Sequence, residues 1–119
     1  MSRRDPKVRL LHMRDFARKA VELARGKTVE DLLKDEVLRL ALTHLVELVG
    51  EAASQVAPET QAQYPEIPWL KIVSTRNRLI HGYDYVDHNI LWETLRTNLP
   101  ALLAQLEKIL SSLPPSPKS

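Results

Sequence analysis

The sequence of 119 residues contains no cysteine. That excludes disulfide scaffolds, thiolate metal sites and cysteine nucleophiles. Glycine occurs three times, too rarely for the glycine-rich βα turns of a doubly wound sheet. Val, Ile and Thr together supply 20 residues, whereas Leu alone supplies 20 and Ala another 10. That balance favours helix formers and argues against a β-sandwich or barrel. No apolar run is long enough for a membrane-spanning helix. The charged start, Met1 to Leu10, has no apolar segment of the signal-peptide kind. The expectation is a soluble cytoplasmic domain without a membrane partner.

What is present suffices for one core. Apolar residues make up 44% of the chain, which suits a single domain of ordinary size. The net charge of +2 hides an asymmetry. Residues 1–27 carry nine Lys/Arg against three Asp/Glu, and the remainder carries eight against twelve. A basic end can favour an anionic partner such as nucleic acid, or it can be a solubilising surface.

Periodicity predicts helices throughout. The first runs from Lys7 to Arg25, with Met13, Phe16, Ala17, Ala20, Leu23 and Ala24 as its core stripe. Gly26 suits the left-handed position that ends a helix. Thr28 and Asp31 then form a capping box for a short helix, Val29 to Lys34. A long helix from Asp35 to Val56 has a wide apolar face and places Thr43, His44, Glu47 and Glu51 on the other side. Gly50 inside it costs about 1 kcal/mol relative to Ala, and a close helix crossing would compensate. Ala57 to Pro68 is a connector with room for one helical turn. The next helix follows Pro68 from Trp69 to His81, with Gly82 as terminator. Asp87 caps the last helical region, which carries Trp92, Leu95, Leu99, Leu102, Leu106, Ile109 and Leu113. Pro100 must kink it near Asn98. The expected fold is all-α, an antiparallel bundle of four to five helices over residues 1–113. A disordered Pro/Ser tail is expected over 114–119.

Chemistry concentrates in Arg76-Asn77-Arg78-Leu79-Ile80-His81-Gly82-Tyr83. Histidine can move a proton near neutral pH, and arginine can neutralise charge on phosphoryl oxygens. RNA brings its own 2′-hydroxyl nucleophile, so this kit needs neither metal nor cysteine. On spacing alone the segment reads first as a polar surface turn, with His81 near the last carbonyls where a cation is favoured. Arg76 and His81 are five residues apart, about 140° around a continuous helix. Arg14, Arg18 and Arg25 share one face of the first helix, either as a phosphate track or as a solvated surface. The His and Asp residues from His81 to His88 do not form a convincing metal pattern, because Asp87 has a cap to serve. Glu47 or Glu51 could hold Arg78 or orient His81.

The spaced pattern of Arg76, His81 and Tyr83, with Asn77 after the arginine, has a recognisable context. Val49-Gly50-Glu51-Ala52 and Tyr64-Pro65-Glu66-Ile67-Pro68-Trp69 stand upstream. Val86-Asp87, Trp92 and Leu99-Pro100 stand downstream. In these features the chain resembles the HepT-like toxins of the HEPN superfamily, which pair with a minimal nucleotidyltransferase antitoxin. The resemblance implies a homodimer in which both copies line one cleft. It implies a metal-independent endoribonuclease without cofactor, using Arg76 and His81, assisted by Asn77. It also implies neutralisation by AMP transfer to Tyr83. Beside that motif, Arg78 is a candidate phosphate contact, and Tyr85 is a secondary target or a decoy. The alternative is a helical module that binds a nucleotide or the partner without turnover.

Overall fold

A computed structural model describes residues 5–81 and 85–113, without the side chains of Ile80, His81 and Tyr85. The protein is all-α. Its helices are α1 (Pro6–Ala24), α2 (Val29–Lys34), α3 (Glu36–Ser54), α4 (Pro58–Gln63), α5 (Trp69–Leu79), α6 (His88–Glu93) and α7 (Leu99–Ser112). A π-helical turn, Thr94–Asn98, joins α6 to α7. A two-residue strand pair, β1 (Ile80–His81) and β2 (Tyr85–Val86), follows α5. The expected tail at 114–119 lies outside the described residues, as does Gly82.

Local chemistry sets the helix ends. The Asp5 carboxylate accepts from Lys7 N at 2.9 Å at the start of α1, with Pro6 at the first helical position. After α1, Gly26 takes φ +76°, a conformation that side chains with a Cβ rarely adopt. Thr28 and Asp31 exchange both capping-box hydrogen bonds, at 3.2 and 2.8 Å. The Thr28 main-chain N–H, joined by the Thr28 hydroxyl, holds the Asp31 carboxyl below its ordinary value. Asp35 caps α3 through Leu38 N, and Asp87 caps α6 through Asn89 N and Ile90 N.

The core runs between α1, α3, α5 and α7. Leu10, Met13, Leu42, Val49, Leu79, Leu91 and Leu106 are almost wholly buried in it. α1 packs on α3 and α7, and α3 packs on α5. Removing such side chains from water is the main favourable contribution to folding, about 1.5–3 kcal/mol each. Trp69 anchors the connector, since its indole N–H donates to Gln61 O at 3.1 Å and Tyr64 O at 3.0 Å.

Three expectations need correction. Leu23 is 39% exposed, and Leu10 takes the buried place in α1. Thr43 is buried, because its side of α3 also meets a neighbour. α5 stops at Leu79, two residues before His81. The interruption expected near Asn98 is present and takes the form of a π turn, in which Leu99 N donates to Thr94 O. Proline has no N–H for the carbonyl four residues back, and its ring crowds that carbonyl; widening the preceding turn relieves both.

Candidate active site

α5 carries the Arg-Asn-Arg segment. The helix begins directly after Pro68, whose carbonyl accepts from Ile72 N at 3.0 Å. Trp69, Thr75 and Leu79 are buried, and Ile72 and Val73 are partly so. The Thr75 hydroxyl turns back to Lys71 O at 2.7 Å and so leaves no unpaired polar group on this face. At its end the chain changes conformation. Asp87 N donates to Leu79 O at 2.8 Å, and Ile80 and His81 pair antiparallel with Val86 and Tyr85. β-branched Ile80 suits the extended form, and the cross-strand pairing outweighs two further helical residues.

This ending alters the geometry of the motif. The 140° separation applies only to a helix continued through His81. His81 instead stands in β1, with Tyr85 as its Cα partner. Its side chain, and Tyr83 altogether, lie outside the described residues.

Arg76 sits where α5 crosses α3. Its guanidinium Nη1 lies 2.6 Å from Glu51 Oε1, with the Arg76 side chain 30% exposed and that of Glu51 55% exposed. The crossing passes over Gly50. A Cβ at that residue would stand 3.1 Å from Arg76 Cβ and 3.5 Å from both Arg76 Cδ and Ile72 O. This close crossing is the compensation expected for a glycine inside α3. Asn77 and Arg78 are both exposed on α5.

Other anticipated partners fall differently. Glu51 holds Arg76 rather than Arg78, and Glu47 lies 3.7 Å from His44. The three arginines anticipated as a phosphate track are each matched by a carboxylate. Arg14 pairs with Asp15 at 3.0 Å, Arg18 with Glu107 at 2.6 Å and Arg25 with Glu22 at 2.6 Å. They do not form a row of uncompensated charge. Glu51 and Gly50 are what sequence reasoning left unassigned to Arg76. Their adjacency in Val49-Gly50-Glu51-Ala52 was the available signal, but only the crossing reveals its target.

A cavity of about 250 Å³ lies elsewhere, between α3, α5, the π turn and α7. Val46, Val49, Ile72, Thr75, Thr94 and Leu102 help line it, and its two buried threonine hydroxyls are tied to carbonyls of their own helices. It opens to the surface between Glu66, Lys71, Thr97 and Ala101, and Arg76 does not border it. Among the described residues, no group of three or more His, Asp or Glu is placed to hold a metal ion.

Comparison with known proteins decides the family. A model of the family described as Ribonuclease HepT-like matches residues 13–109. The chain belongs to the HepT-like ribonuclease family. Among HepT-like relatives, "Putative RNase TTE0752" of Caldanaerobacter subterraneus subsp. tengcongensis is 33% identical over 105 residues, covering 88% of this chain and 94% of that protein. "Probable ribonuclease HepT" of Thermococcus cleftensis is 34% identical over 88 residues, covering 74% and 80%. "Putative RNase MJ1380" of Methanocaldococcus jannaschii is 27% identical over 107 residues, covering 90% and 98%. No solved structure matches the chain with statistical significance. The HepT-like match spans α5, the strand pair and the Gly50–Glu51 step, so Arg76 and its seat lie within the family domain. Among the described residues no helix is long and apolar enough to cross a membrane.

Proposed function

We propose that this HepT-like chain is a metal-independent endoribonuclease and the toxin of a toxin–antitoxin pair. The observation that carries the reading is the Arg76, His81 and Tyr83 pattern inside the matched family domain, with Arg76 held at the surface by Glu51. In this reading His81 takes a proton from an RNA 2′-hydroxyl or gives one to the leaving 5′-oxygen. The 2′-oxygen forms a bond to phosphorus as the bond from phosphorus to the 5′-oxygen breaks. Arg76 neutralises the charge that grows on the phosphoryl oxygens, and Asn77 assists by hydrogen bonding. Exposed Arg78 contacts a neighbouring phosphate. Arg14, Arg18 and Arg25 join only where RNA draws them from Asp15, Glu107 and Glu22.

The active unit is a homodimer. Val37 and Leu40 are 77% and 57% exposed on α3, and the same helical face continues through His44 and Leu48 to Glu51. A second copy laid along this stripe would bring two Arg76 side chains toward one cleft. Regulation comes from a nucleotidyltransferase partner that moves AMP onto Tyr83. The tyrosyl oxygen attacks the α-phosphorus of ATP, its proton is lost and pyrophosphate leaves. The added phosphate then repels RNA.

Intact mass and RNA cleavage, measured on one preparation with and without the coexpressed partner, test this reading. The expected result is an AMP-sized addition on Tyr83 that rises as cleavage falls. Partner binding without cleavage by the unmodified protein would favour the non-catalytic module instead.

A further inference from the structure

Arg76 is held by more than one contact, and the residues that hold it are consecutive in α3. Its stem lies over Gly50, close enough that an added Cβ would touch both Arg76 Cβ and Cδ. The stem therefore runs along the α3 surface instead of standing away from it. At its end, Nη1 meets Glu51 Oε1 at 2.6 Å. Glu51 is itself steadied, since Gln55 Nε2 donates to Glu51 Oε2 at 3.3 Å.

We infer that Gly50 and Glu51 form a two-residue seat for Arg76, with Glu51 the positioning residue that fixes where the guanidinium can meet RNA. This inference rests on the ribonuclease reading above. Three physical points carry it. An arginine side chain has many rotamers, and a group that must meet a phosphoryl oxygen gains from having few. A carboxylate bound to one terminal nitrogen leaves other N–H donors of the five-donor fork for phosphate. Finally, Glu51 is more than half exposed, and ion pairs so exposed contribute little to stability. The effect of this pair therefore lies in where the guanidinium sits.

The two expected consequences have opposite signs. Removing the Glu51 carboxylate removes a negative charge beside the RNA site, so binding should hold or tighten. It also releases the guanidinium, so cleavage should slow. A merely structural residue would weaken both together.

The experiment compares wild type, Glu51→Ala, Glu51→Gln and Arg76→Ala. Cleavage of total RNA is followed with EDTA present, and binding is measured with a 2′-O-methylated oligonucleotide that cannot be cut. Thermal melting is recorded for each protein. For Glu51→Ala the expected result is cleavage slowed roughly two- to fivefold, with binding unchanged or tightened by roughly twofold and melting unchanged. Glu51→Gln keeps an oxygen acceptor and should recover part of the rate. Unaltered cleavage in Glu51→Ala, with Arg76→Ala inactive, would overturn this inference alone. So would parallel losses of binding, cleavage and melting temperature. A wild type that cuts nothing, or an Arg76→Ala variant as active as wild type, would overturn the ribonuclease reading and the seat with it.

Discussion

Thr43, Thr75 and Thr94 show how one residue type behaves in three helical settings. Each is buried. Thr75 and Thr94 donate to the carbonyl four residues back, at 2.7 Å in each case. The Thr43 hydroxyl has no hydrogen-bond partner among the described residues. A buried hydroxyl without a partner loses water and gains nothing in return, at about 1–3 kcal/mol. Thr43→Val keeps the shape and removes the hydroxyl. It should raise stability by about 1 kcal/mol, visible as a higher urea midpoint with an unchanged slope; a lowered midpoint would show that the hydroxyl has a partner. At this scale the sequence was most legible where bonding partners are near in the chain. Gly26, Thr28 with Asp31, and Asp87 all serve the ends foreseen for them. Thr43 and Leu23 were misplaced because helical periodicity gives an angle and not the neighbour that fills it.

At the scale of elements, α3 and α5 are set by their crossing. Gly50 was legible as a close approach, but Arg76 as the approaching residue was not. The Arg76–Glu51 pair at this crossing joins residues 25 positions apart. Gly50→Ala offers the sharpest test of the crossing. Alanine gains about 1 kcal/mol in helix propensity, but its Cβ meets Arg76 Cβ at 3.1 Å. That neighbour is fixed to the backbone of α5, so the helices must separate slightly, at about 1–3 kcal/mol. The expected net effect is a modest loss of stability, no more than about 2 kcal/mol, with a larger fractional loss of RNA cleavage. A more stable and fully active Gly50→Ala protein would contradict the described crossing. The end of α5 was also only partly readable. Ile80 and His81 lie in a helical-looking pattern, yet their pairing with β2 is settled by residues beyond the segment. The break before α7 was readable because proline carries its own steric rule, although its π form was not.

At the scale of the whole molecule, the all-α bundle was legible from composition, periodicity and caps, and family membership agrees with it. The complete site was less so, since half of it is expected from a second copy. In the proposed dimer the exposed stripe of Val37 and Leu40 forms the contact. Leu40→Glu should shift the protein from dimer to monomer in sedimentation velocity and reduce cleavage, with little change in helical circular dichroism. A wild-type protein that is monomeric at micromolar concentration would exclude that arrangement. The charge asymmetry also looks different in three dimensions. Arg14, Arg18 and Arg25 each meet a carboxylate, as Arg76 itself meets Glu51, so the count of basic residues near the start overstates the uncompensated charge there. The most direct test of the central claim is RNA cleavage by the purified chain in EDTA, beside folded Arg76→Ala and His81→Ala proteins. The account predicts cleavage by the wild type that survives metal removal and is lost in both variants. Cleavage undiminished in the two variants, or abolished in the wild type by EDTA, would contradict it.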